Sequence, residues 1–137
     1  MKHLFLDTNV VIDVLVERHP FFENSAQLME LRFTNKVKLY ISTLSYQIIY
    51  FLLKKNNSHK HVISLLEQIL DITEIIDVTG DVIQQSIKSE FSDFEDAIQY
   101  YSAISNKKIE IIVTRNTKDY KTSKLPALTP QEAYLLV

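Results

Sequence analysis

Leu4-Phe5-Leu6-Asp7-Thr8-Asn9 is the stretch from which the rest of the chain is read. Three successive apolar residues with no polar alternation suit a strand buried on both faces of a parallel sheet. The polar triplet that follows marks its exit. Working outward, Val10 to Val16 reads as a short helix, and Pro20 ends the turn after it. Phe22, Ala26, Met29 and Phe33 recur at helical spacing across Phe21 to Phe33. Lys38-Leu39-Tyr40-Ile41 is a second strand, with Ser42-Thr43 at its exit. An apolar helix runs from Leu44 to Leu53 and is broken by Asn56-Asn57-Ser58. Val62, Leu65, Leu66 and Ile69 give the next amphipathic helix. Ile75-Ile76-Asp77-Val78 reads as a third strand, and Gly80-Asp81 starts another helix. Ser92-Asp93-Phe94-Glu95-Asp96 opens the helix carrying Ala97, Ile98, Tyr101 and Ile104. Ile109 to Val113 is a fourth strand, Ala127-Leu128 a short edge strand, and Thr129-Pro130 starts a terminal helix.

Strands thus alternate with helices. That pattern predicts an α/β protein: a three-layer α/β/α sandwich with a mainly parallel four- or five-stranded sheet. The 137 residues suit one domain spanning 1–137. With 46% hydrophobic and 23% charged residues, the balance is that of a globular protein.

Composition removes several function classes. Without cysteine there is no disulfide, thiolate zinc site, iron–sulfur cluster or cysteine nucleophile. A single glycine, Gly80, excludes the Gly-rich phosphate loops of P-loop NTPases, Rossmann domains and kinases. A net charge of -2 argues against the whole surface acting as an electrostatic nucleic-acid binder. Met1-Lys2-His3 and the short apolar run that meets Asp7 make no signal peptide. No apolar run approaches the roughly 20 residues that span a bilayer. The expectation is a cytoplasmic protein without a membrane partner.

Open parallel sheets bind ligands outside the carboxyl ends of their strands. The residues that arrive there are Asp7, Ser42 and Thr43, and Thr114-Arg115-Asn116 with Asp119. The helix before strand four begins there too, with Asp93, Glu95 and Asp96. Each acid has a plain structural account. Asp7 reads equally as a helix cap. Ser92-x-x-Glu95 fits a capping box and Asp93 an alternative N-cap, and Asp119 fits a turn. Asp96, at the start of an apolar helix, is less easily explained in this way. Carboxylates converging on one sheet edge repel by about 4 kcal/mol per pair at ~4 Å and an effective dielectric of ~20. A bound proton or a hard cation, Mg²⁺ or Mn²⁺, relieves that repulsion.

Asp7-Thr8-Asn9 with Val11-Ile12-Asp13, Asp93-Phe94-Glu95-Asp96-Ala97, and Thr114-Arg115-Asn116-x-x-Asp119-Tyr120 stand in an order and spacing that resemble the three blocks of the PIN domain family. The resemblance covers nearly the whole chain. It implies a metal-dependent ribonuclease, since bacterial single-domain members are mostly VapC-like toxins of toxin–antitoxin pairs. By resemblance, Asp7 and Asp96 are metal-binding acids, and the remaining ligand is Asn116 or Asp119. Thr8 and Thr114 resemble hydroxyl residues that orient the acids, and Asp13 matches a less central, hydrogen-bonding position. The implied chemistry is RNA cleavage by metal-activated water, leaving a 5′-phosphate and a 3′-hydroxyl. The implied partners are an RNA substrate, an antitoxin protein and a second copy in a homodimer.

One departure stands out. The family usually places a Glu on the helix after Ser42-Thr43-Leu44, and this chain has Gln47 with Ile48 beside it. A neutral amide ligates without adding charge. The alternative function is therefore a catalytically weak or inactive PIN-fold module that binds RNA or a partner protein. Arg115 and Lys118, followed by Lys121 and Lys124, form a row suited to RNA phosphates. His59 and His61 face different directions on a helix and are not expected to bind metal together. The seven tyrosines read as core.

Overall fold

The computed structural model describes residues Met1–Val137. Five strands, β1 (Lys2–Leu6), β2 (Val37–Ser42), β3 (Glu74–Ile76), β4 (Ile111–Val113) and β5 (Ala127–Leu128), form one sheet of order β3-β2-β1-β4-β5. Every pairing is parallel. The chain builds outward from β1 through β2 to β3, then crosses back to β4 and β5. The order therefore reverses between β1 and β4, where Leu6 is in register with Val113. That junction is the topological switch point at which parallel sheets open a crevice.

The apolar run of β1 is buried on both sides. Leu4 and Leu6 face one core with Leu39, Ile41, Ile111 and Val113. Phe5 faces the other with Tyr40, Ile112 and Tyr120. The first face is covered by α1 (Thr8–Leu15), α2 (Phe22–Glu30), α3 (Thr43–Leu53), α4 (His59–Ile72) and α7 (Pro130–Leu136), through Val11, Leu28, Ile49, Ile69 and Ala133. The second is covered by α6 (Phe94–Ile104), through Tyr100 and Ala103, with α5 (Gly80–Ile87) packed on α6. This is the three-layer sandwich, with five strands. None of the helices is long and apolar enough to cross a membrane.

Parallel connections run helices antiparallel to strands, so the N-termini of α1, α3 and α6 meet the carboxyl edge of the sheet. Asp7, Ser42 and Asp93 cap these helices, accepting from the backbone N–H groups of Thr8, Ser45 and Glu95 respectively. Such caps contribute about 1 kcal/mol each and fix where each helix begins. At the opposite end of the chain, Thr129 and Glu132 close a full capping box on α7.

The structure corrects four local expectations. Asp93, not Ser92, is the N-cap of α6, so Glu95 sits in the first turn without making a capping box. The helix after Pro20 ends at Glu30 and tightens into a 3₁₀ turn over Leu31–Thr34, closed by Asn35 at a φ of 58°. The tighter winding swings Phe33 off the apolar face and leaves it 66% exposed. Strand β3 covers Glu74–Ile76, shorter and earlier than its apolar run, because at the sheet edge only Tyr40, Ile41 and Ser42 are available to pair with it. Strand β4 begins at Ile111, although Ile109 is buried as well.

Candidate active site

Asp7 follows directly from β1, and its N–H donates to the Val113 carbonyl at 2.9 Å. Its side chain is buried and saturated. Oδ1 accepts from the Thr8 N–H at 2.7 Å. Oδ2 accepts from the Thr114 hydroxyl at 2.9 Å and the Tyr120 hydroxyl at 3.1 Å. Cap and site residue are thus one group, with one oxygen serving the helix and the other held by β4 and the turn beyond it. Burial pushes the Asp7 carboxyl above its usual range, the three donors act against that, and the charge of Asp119 adds to it.

A cavity of about 650 Å³ opens over this point. Five carboxylates line it: Asp7, Asp93, Glu95, Asp96 and Asp119. Arg18 is the only basic residue on its wall, and its Nε lies 3.7 Å from Asp13 Oδ1. Asp96, in the first turn of α6, is half-buried. Burial, then the charges of Asp7, Asp93, Asp119 and Glu95, push its carboxyl up to about 7, with no hydrogen bond offsetting them. Glu95 is raised by burial and by Asp7 and Asp93. The Tyr120 hydroxyl is raised by burial and then by the Asp7 charge, so it stays a donor. This excess of hard anionic oxygens is the donor chemistry that Mg²⁺ or Mn²⁺ selects. The carboxylates share one cavity without closing into a three-residue cage.

The remaining expected residues fall at or beside this cavity. Asn116 and Asp119, on the turn after β4, both line it, as do Gln47 and Ile48 on α3. Thr114 touches Asp7 as expected. The Thr8 hydroxyl turns away from the acids and pairs with Ser45 Oγ at 2.7 Å. Asp13 is wholly buried and accepts from Arg115 Nε at 2.6 Å and Nη2 at 3.3 Å. The Arg115 guanidinium also lies over the Phe21 ring at 4.1 Å. Arg115 is therefore committed to a brace beside the cavity, while Lys118 is exposed on the 3₁₀ turn Thr117–Tyr120.

Two contributors escape a reading of the sequence. Tyr120 is one of seven tyrosines, and nothing local marks it as the donor to Asp7. Gln99 is fully buried behind the cavity. Its Nε2 donates to Thr8 Oγ1 and Ser45 Oγ, both at 2.9 Å, and its Oε1 accepts from Ser42 Oγ at 2.7 Å. Gln99 thereby ties the helix bearing Asp96 to the helix that Asp7 caps. A trace was available: Gln99 lies three residues on from Asp96, on the same face of α6.

Comparison with known proteins follows the same lines. A family model of the PIN domain matches residues 3–118. Ribonuclease VapC1 of Aquifex aeolicus (strain VF5) is 26% identical over 136 residues, covering 96% of this chain and 92% of its own length. A toxin-antitoxin complex from Klebsiella pneumoniae superposes with a TM-score of 0.68 at 25% identity, over 93% of this chain and 97% of that one. VapBC2 from Rickettsia felis, bound to a DNA fragment from their promoter, gives 0.69 at 20% identity over 92% and 96%, a likeness of fold.

Two outcomes are expected. A carboxyl whose folded pKa is raised stabilises the fold fully below its unfolded value, near 3.8, and loses that contribution as pH rises through about 7. Asp96→Asn should therefore raise the melting temperature at pH 8 in divalent-free buffer, with the gain fading towards pH 4. A pH-independent difference in melting temperature would contradict the assigned cause. Gln99→Leu should lower stability in urea denaturation by about 1–3 kcal/mol for each buried hydroxyl it leaves unpaired.

Proposed function

This chain belongs to the PIN domain family, and we propose that it is a metal-dependent endoribonuclease, the toxin of a toxin–antitoxin pair. The observation that carries this is the gathering of Asp7, Asp96 and Asp119 in one acidic cavity at the β1–β4 switch point. Similarity to a ribonuclease VapC1 and to a toxin-antitoxin complex supports the class of substrate and of partner.

Asp7 and Asp96, with Asp119 or Asn116, would hold Mg²⁺ or Mn²⁺. Such an ion supplies a water of lowered pKa and polarises the scissile phosphate. The chain's own work is positional. Thr114 and Tyr120 fix Asp7 Oδ2, and the α1 backbone fixes Oδ1, so that carboxylate cannot swing. Asp96 accepts no hydrogen bond, and with its carboxyl pushed up to about 7 it would bind a cation in competition with a proton. Arg18 on the cavity wall, whose 3.7 Å pair with Asp13 is far looser than the 2.6 Å contact of Arg115, and the exposed Lys118 are the cations offered to the RNA backbone. The exposed Phe51 and Leu52 on α3 and Leu70 on α4 support the expectation that one of these helices is shared with a second copy or an antitoxin helix.

One observation favours the second reading, a PIN-fold module that binds RNA or protein with little catalysis. We place Gln47, or Ile48 beside it, where the family usually has a Glu, and the wall they share adds no charge. Manganese titration by calorimetry separates the two, because the enzyme requires binding at millimolar concentrations or tighter.

Asp7→Asn should reduce Mn²⁺-dependent RNA cleavage to background while circular dichroism shows an intact fold. Full activity in that variant would remove Asp7 from the mechanism. Gln47→Glu should tighten Mn²⁺ binding by about tenfold, the effect of one added carboxylate at the cavity wall. If the adjacent position is the equivalent one, Ile48→Glu acts instead. Unchanged affinity in both would show that α3 does not contribute to the ion's surroundings.

A further inference from the structure

Beside the acidic cavity lies a second one of about 420 Å³, and the two share Asn116. Its chemistry is the opposite of its neighbour's. No carboxylate lines it. Three amide residues, Asn24, Asn116 and Gln131, line it from α2, the turn after β4, and α7. Phe21 supplies an aromatic wall and is 38% exposed. The single cation, Arg115, is stacked on that ring and already neutralised by Asp13.

We infer that this cavity is a nucleobase subsite, occupied by the base next to the phosphate held in the acidic cavity. The inference rests on the endoribonuclease function proposed above. A phosphate or carboxylate ligand would need a free cation here, and Arg115 is not free. A neutral heterocycle needs what the wall offers: an aromatic and guanidinium plane to stack on, and amides that both donate and accept along its edge. Single-stranded RNA presents such bases unstacked. Because Asn116 borders both cavities, a strand with its reacting phosphate among the acids carries its neighbouring base to the amides. The subsite thus makes cleavage depend on the presence, and on the edge pattern, of one flanking base.

The test uses the full chain with Mn²⁺ and a short single-stranded RNA in which an abasic nucleotide is moved stepwise past the cleaved bond. In the unmodified protein, abasic replacement at one fixed position should lower kcat/KM by about tenfold. In Asn24→Ala and in Gln131→Ala that penalty should shrink, and in the two combined it should fall towards nothing. Hydrolysis of bis(p-nitrophenyl) phosphate, which has no base, should be unchanged. Asn24 is half-buried, Gln131 is exposed, and neither side chain makes a hydrogen bond in the protein, so the double variant should keep its melting temperature. RNA cleavage with no abasic-sensitive position, or with the same penalty in the double variant, overturns the subsite and leaves the endoribonuclease standing. If the unmodified protein cleaves no RNA at any abasic position or none, the endoribonuclease reading fails and the subsite fails with it.

Discussion

A carboxylate buried at the end of a central strand is the constraint on which the rest of this structure depends. Asp7 cannot move to solvent without breaking β1, and it cannot remain charged without donors. Isolated charges in a protein interior cost several kcal/mol after relaxation. Thr114, Tyr120 and the first turn of α1 therefore converge on its two oxygens. Those three donors come from β4, from the turn beyond it, and from α1. Satisfying one carboxylate thus fixes the relative placement of the elements that border the crevice. The other acids are then added to a site whose first charge is already held, which is why burial and like charge together raise the Asp96 carboxyl to about 7.

Two polar braces extend this rigidity. On one side, Gln99 joins Thr8, Ser42 and Ser45 in a network closed to water, so α6, α1, β2 and α3 are registered against one another by hydrogen bonds as well as by packing. Buried networks of this kind are specific because any shift leaves a polar group unpaired. On the other side, Arg115 forks onto the buried Asp13, lies on Phe21, and its N–H donates to Asn9 Oδ1 at 3.2 Å. A buried pair of this kind is weak evidence for stability. Its geometric effect is plain: it pins the turn that carries Asn116 and Asp119 to α1. The acidic cavity is bordered by one brace on each flank.

The alternation of apolar runs with helical spacing was enough to read the layered parallel fold, because strands buried on both faces and helices buried on one leave different periods. The two-residue strand at Ala127-Leu128 was legible from its position as well as its composition. What failed was local. Phe33 has helical spacing from Met29, and no sequence signal shows that the chain tightens at Leu31 and turns that ring outward. Ser92 and Asp93 are both good caps, and the choice between them is made by where α6 meets the sheet. For the site, residues at strand exits were legible because topology gathers them. Arg115 as a free phosphate ligand was a fair reading of a basic row, but its partner Asp13 is 102 residues away and only the fold joins them. Gln99 and Tyr120 act by reaching across layers, so their roles are invisible in any window of sequence.

No carboxylate reaches the cavity from α3, which lines it with Gln47 and Ile48. The cavity is not poor in negative charge, because α6 brings Asp93, Glu95 and Asp96 to it from four successive positions of one helix start. Asp93 is tied to its cap, with Oδ1 accepting from the Glu95 N–H at 2.7 Å. Glu95 is free of such duties and already feels Asp7, whose charge helps to raise its carboxyl. The helix-borne acids of the cavity are therefore gathered on one helix, α6. Charge gathered on one side attracts a cation from a distance as well as charge spread around it, since the field at long range depends on the sum. It holds the ion less evenly at short range, where ligand placement decides affinity and geometry. The α3 wall contributes Gln47, whose amide oxygen can still face a cation, and Ile48, which excludes water. That combination favours capture of a cation over its tight retention.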